Sequence, residues 1–123
     1  MRPFGVSFLI AGWDEHFGFQ LFQSDPSGNY GGWKATAIGA NNQAAQSILK
    51  QDYKEDINMA ASLKLAIKVL SKSMDSTTLS SDKVEFVSVT RQGDSVKFQM
   101  LSNAEVDAAI TDAGFAAVAA GAE

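Results

Sequence analysis

His16 is the sole histidine in a chain of 123 residues, and it directly follows Asp14 and Glu15. An imidazole beside two carboxylates has the makings of a metal site or an acid–base pair. Neighbours on one turn rarely converge on a single ion, however, and no second His and no Cys completes a ligand set. Residues 13–16 therefore read as a solvated polar connection. Serines are plentiful, but a serine nucleophile requires a base and an orienting acid. His16 is the only imidazole on offer, and no Gly-x-Ser-x-Gly elbow occurs. Ser27, inside Asp25-Pro26-Ser27-Gly28, fits a turn better than an active site. The stretch from Gly28 to Lys34 carries the glycines and lysine of a phosphate loop, which needs Gly-Lys-Ser/Thr opening a helix. Here Trp33 separates Gly32 from Lys34, and Ala35 replaces the magnesium-binding hydroxyl. No catalytic residue, cofactor or metal ligand is assigned.

The elements that would position these residues begin as sheet. Residues 4–12 are apolar and rich in Phe, with Phe4, Val6, Phe8 and Ile10 on one face and Leu9 and Ala11 on the other. That pattern predicts a strand covered on both sides. Alternation resumes over residues 17–23, with Phe17, Phe19 and Leu21 on one side, so the pair predicts an antiparallel hairpin. Residues 24–29 form the strongest turn signal: Pro26 fixes φ, Asp25 can bond forward to the backbone, and Gly28 accepts positive φ. A further strand is predicted over 30–38, with Gly31 and Gly32 marking a bulge or a close backbone approach and Gly39 ending it.

Helices follow. Beyond a cap at Asn41 or Asn42, Ala44, Ala45, Ile48, Leu49 and Tyr53 keep helical spacing. A second helix is capped by Asn58 and carries the stripe Met59, Leu63, Ala66, Ile67, Leu70 and Met74. Lys64, Lys68 and Lys72 lie on another face, a row that reads as solvated surface more readily than as a dock for an acidic partner. Sheet returns over 83–91, turns at 92–95, and pairs with Val96, Phe98 and Met100. Ser102 and Glu105 form a capping-box pattern that opens a short helix with Val106, Ala109 and Ile110 inward. Residues 1–113 are expected to form one compact unit, and the Ala- and Gly-rich residues 114–123 are expected to fray. Strands, grouped helices, a hairpin and a helix define an α+β class.

Composition narrows the function classes. Ten basic against 14 acidic residues leave a net charge of −4, and the two arginines, Arg2 and Arg91, lie far apart. Phosphate neutralisation needs a basic patch, so no nucleic-acid partner is expected. No segment reaches the length of a membrane span, and the residues from Met1 to Gly5 do not resemble a signal peptide. The absence of cysteine rules out a disulfide framework and fits a reducing compartment.

Three stretches in order resemble the alpha-type subunits of the 20S proteasome core: Arg2-Pro3-Phe4-Gly5-Val6-Ser7, Asp25-Pro26-Ser27-Gly28-Asn29-Tyr30, and Trp33-Lys34-Ala35-Thr36-Ala37-Ile38-Gly39. Leu49-Lys50-Gln51-Asp52-Tyr53 strengthens the match. The resemblance implies that residues 1–113 are the carboxyl-terminal half of a domain, a four-layer αββα sandwich of the amino-terminal-nucleophile (Ntn) hydrolase type. It implies a non-catalytic structural subunit of the alpha ring, supporting ring assembly and gated admission of substrate in ubiquitin-dependent degradation. Other alpha and beta subunits would be its partners, with regulatory particles beyond them, in cytoplasm and nucleus. Arg2, Pro3, Gly5, Asp25, Pro26, Ser27, Gly28, Tyr30, Gly32, Trp33, Lys34 and Gly39 carry the family motif, as turns and backbone architecture. The family's gate segment and the lysine-centred pocket for activator tails are expected to lie in the half that this chain lacks.

Two rival readings accompany it. A diverged Ntn-hydrolase half would need an amino-terminal threonine, whereas the first threonine, Thr36, falls inside a predicted strand. A stand-alone interaction module would pair through open sheet edges.

Overall fold

The computed structural model describes residues 1–74 and 78–115. Among them the order is β1 (Phe8–Asp14), β2 (Gly18–Ser24), β3 (Tyr30–Gly32), α1 (Asn42–Asp52), α2 (Met59–Ser73), β4 (Val87–Gln92), β5 (Ser95–Met100) and α3 (Asn103–Ala113). One antiparallel sheet runs β1-β2-β3 and a second pairs β4 with β5, so the α+β class holds.

In the first sheet Ile10 pairs with Phe22 and Trp13 with Phe19. Alternation puts Phe8, Ile10 and Phe22 on one face and Leu9, Trp13, Phe19 and Leu21 on the other. Among the described residues the expected cover on both sides is absent: Phe8, Leu9 and Ile10 are all exposed, Ile10 at 56%. The close packing of β1 and β2 is with one another and of β2 with β3. The apolar pattern records a demand for cover that the described residues do not supply.

The predicted third strand is shorter than expected. It covers Tyr30–Gly32 and ends after Trp33 N–H donates to the Leu21 carbonyl at 2.8 Å. Residues 34–38 leave the sheet, so Thr36 is not in a strand; its hydroxyl donates to Gln23 Oε1 at 2.7 Å. The predicted strand over 83–91 also starts late, at Val87; Val84 and Phe86 bury their side chains in the core, while the Phe86 carbonyl still accepts from Leu101 N–H at 2.9 Å.

That core lies in the second half of the chain. Ile67, Leu79, Val84, Phe86, Val106 and Ile110 are buried together, with Leu63, Leu70 and Phe115 packed around them. Helix α2 forms as its stripe predicts: the Asn58 side chain accepts from Ala61 N–H at 2.8 Å, and Ile67 is fully buried. The stripe is not the whole burial, since Val69 is covered on α2's other flank, where α1 packs with its buried Ala45. The lysine row is consequently split. Lys68 pairs with Asp52 of α1 at 2.6 Å, and Lys64 approaches Asp112 of α3 at 3.6 Å.

Helix α3 opens with the predicted capping box, Ser102 N–H donating to Glu105 Oε2 at 2.7 Å and Glu105 N–H to Ser102 Oγ at 3.3 Å. Gly114 ends it, and Leu79 N–H donates to the Phe115 carbonyl at 3.0 Å. The rest of the expected tail, 116–123, lies outside the described residues.

Candidate functional site

The motif residues fall on three neighbouring features. Arg2, Pro3 and Gly5 precede β1. Asp25, Pro26, Ser27 and Gly28 make the β2–β3 turn as the sequence predicts. Asp25 Oδ1 accepts from Ser27 N–H at 2.9 Å and from the Ser27 hydroxyl, and Gly28 N–H donates to the Asp25 carbonyl at 3.1 Å. The Ser27 hydroxyl, then the backbone donors, hold the Asp25 carboxyl below the usual carboxylate range. Gly28 has φ of 86°, in the left-handed region that favours glycine. Pro3, Phe4, Val6 and Phe8 border this same turn in a shallow depression.

Tyr30 and Gly32 belong to β3, and Trp33 and Lys34 start the connection toward α1. That connection is pinned at both ends. Thr36 bonds Gln23 of β2, and Gln46 Nε2 of α1 donates to the Ala37 carbonyl at 3.0 Å. Gly39, at φ 104°, reverses the chain into α1. The cap there differs from expectation. Asn41 precedes the helix at φ 60° with no side-chain cap bond; its amide instead donates to the Ser73 carbonyl at the end of α2, at 2.8 Å.

The residues weighed for chemistry stay apart. Asp14 Oδ1 accepts from the backbone of Phe17 at 2.7 Å and of His16 at 2.9 Å, closing the β1–β2 turn. The Phe17 N–H chiefly keeps its carboxyl below the ordinary range. The His16 imidazole is largely exposed, 3.7 Å from Glu15. Among the described residues no three His, Cys, Asp or Glu side chains gather as metal ligands. No helix among them is long and apolar enough to cross a membrane. Sequence reasoning missed two features. Arg91 lies over the Trp13 ring, its signal being its place on the apolar parity of Val87 and Val89. A groove between Trp33 and α1 was signalled by Gln46, Leu49, Lys50 and Tyr53, spaced as one helical stripe.

Comparison with known proteins places this arrangement. The sequence profile of the proteasome subunit family matches residues 1–89. The chain belongs to the proteasome subunit family. The three helices and the antiparallel strands among its described residues are consistent with that family's α+β fold, the Ntn-hydrolase sandwich. The similar relatives are named alpha type-4 subunits. One from Spinacia oleracea is 59% identical over 121 residues, covering 98% of this chain and 48% of the relative. One from Arabidopsis thaliana, alpha type-4-A, is 70% identical over 89 residues, covering 72% and 36%. One from Dictyostelium discoideum is 57% identical over 113 residues, covering 91% and 45%. The chain spans about half the length of the first two curated relatives it matches, 48% and 46%.

Proposed function

We propose that this chain acts as a non-catalytic, structural part of an alpha-type subunit in the alpha ring of the 20S core particle. Its work is shape and interface: it supports ring assembly and the gated admission of substrate for ubiquitin-dependent degradation. Other alpha and beta subunits are its neighbours, regulatory particles dock on the assembled ring, and the assembly works in cytoplasm and nucleus. The observation that carries this reading is the 59% identity to an alpha type-4 subunit across 98% of the chain.

Two structural facts support it. The sheets leave Phe8, Ile10, Phe19, Phe98 and Met100 each more than half exposed, as surfaces that another part of an assembly covers. The motif residues build turns and backbone reversals at Asp25–Gly28 and Gly39. The relatives' remaining length is the natural cover for the bare faces.

Affinity purification of the tagged chain under native conditions, followed by mass spectrometry, tests the reading. Other alpha and beta subunits should be recovered in near-equal amounts. Recovery of the chain alone, or only with itself, would overturn it in favour of a self-associating module.

A further inference from the structure

A groove of about 430 Å³ opens between the connection after β3 and helix α1. Its size is within the range of ligand-binding clefts. Trp33, Ala35, Leu49 and Tyr53 give it an apolar lining, and Lys34 and Lys50 give it positive charge. No acidic side chain lines it, although the chain as a whole carries −4.

Helix periodicity explains how α1 serves two neighbours at once. Ala45 is buried and Asp52 is tied to Lys68, so one face of α1 belongs to α2. Gln46, Leu49, Lys50 and Tyr53 repeat at three, four and seven residues from Gln46 and form the adjacent face, which lines the groove. Trp33 is 49% exposed there, and among the described residues Lys50 has no ionic partner. The other lysine already holds a carboxylate. Glu55, in the α1–α2 connection, pairs with Lys34, and both side chains are mostly exposed.

We infer that this groove docks an acidic peptide segment of a partner protein. One partner carboxylate meets Lys50, another displaces Glu55 from Lys34, and an apolar side chain rests on Trp33 and Tyr53. Charge complementarity selects this occupant: a second copy of the chain would bring a net negative charge but no defined acidic strand. The inference goes beyond the ring-subunit reading, and it is tested on the chain itself.

The test is an NMR titration of the isotope-labelled 123-residue chain. The probe is a blocked peptide of alternating Glu with Leu and Phe, and the control replaces each Glu by Lys. The acidic probe should shift the Trp33 indole N–H and the amides of residues 49–53 saturably, leaving the Trp13 indole unmoved. Lys50→Gln should weaken binding, and Glu55→Gln should tighten it, each about two- to fivefold for an exposed ion pair. Equal binding of the basic control, shifts spread over β1 and β2, or unaltered affinity in both variants would overturn the inference.

Discussion

Arg91 holds its guanidinium carbon 4.5 Å from the centroid of the Trp13 ring, which places the last residues of β1 beside β4 of the other sheet. Trp13 belongs to the face that also carries Leu9, Phe19 and Leu21, and Arg91 to the face of Val87, Val89, Val96, Phe98 and Met100. A cation over an indole replaces what the apolar parity leads one to expect at that position. Arg91 also lies 3.6 Å from Asp94, a fully exposed carboxylate that does little to hold it.

Arg91→Ala should therefore lower the chain's stability by about 0.5–1 kcal/mol, the usual worth of a partly exposed cation–π pair. Asp94→Ala should cost less, about 0.2 kcal/mol or under. Urea denaturation followed by tryptophan fluorescence would compare the two. Equal costs would mean that the ring contact contributes nothing.

The Asp25 carboxyl should titrate below the ordinary aspartate value of about 3.9. Its pKa is lower folded than unfolded, so its contribution is complete above the unfolded value. The contribution disappears as pH falls through the depressed folded value. Ser27→Ala removes the largest cause and should move the midpoint upward. A pH series of carboxyl carbon shifts by NMR reads both.

Core and sheet residues should respond oppositely to truncation. Ile67→Ala, at a fully buried position, should cost about 2–5 kcal/mol in thermal or chemical unfolding. Phe98→Ala, where the ring is 67% exposed, should change stability of the isolated chain by about 0.5 kcal/mol or less. On the proposed ring role, the same Phe98 variant should recover fewer other subunits in native purification, since its ring is part of the bare surface. Full recovery of partners would separate Phe98 from the interface.

Ser102→Ala should cost about 1 kcal/mol by removing the cap of α3. Glu105→Ala acts on the same box, so the double variant should cost less than the two added together. Circular dichroism melts of the three variants would measure the coupling.

What the sequence made legible was local. The Asn58 cap, the Ile67 stripe, the Asp25–Gly28 turn and the Ser102–Glu105 box each depend on residues within a turn or two of one another. The motif stretches were legible as family because their order along the chain is itself information. What escaped depended on distant neighbours. The third strand leaves β2 after Gly32 although β2 runs on to Gly18, and composition over 30–38 does not encode that departure. Val69 is buried because α1 lies over it, and Asn41 gives its amide to Ser73 because two helix ends meet. The apolar alternation of β1 predicts two covers that the described residues do not provide, because alternation does not say what lies over each face.

The buried cluster draws on residues 67–110, while β1 to β3 contribute none of its members. This asymmetry sets a hierarchy of opening reactions. Amide protons of α2 and α3 should exchange with solvent only through the largest unfolding event, whereas those of β1 should exchange through smaller, separate openings. The chain is then two cooperative units of unequal strength, and whatever lies over the first sheet in an assembly would slow its exchange without altering the protons of Ile67 or Ile110.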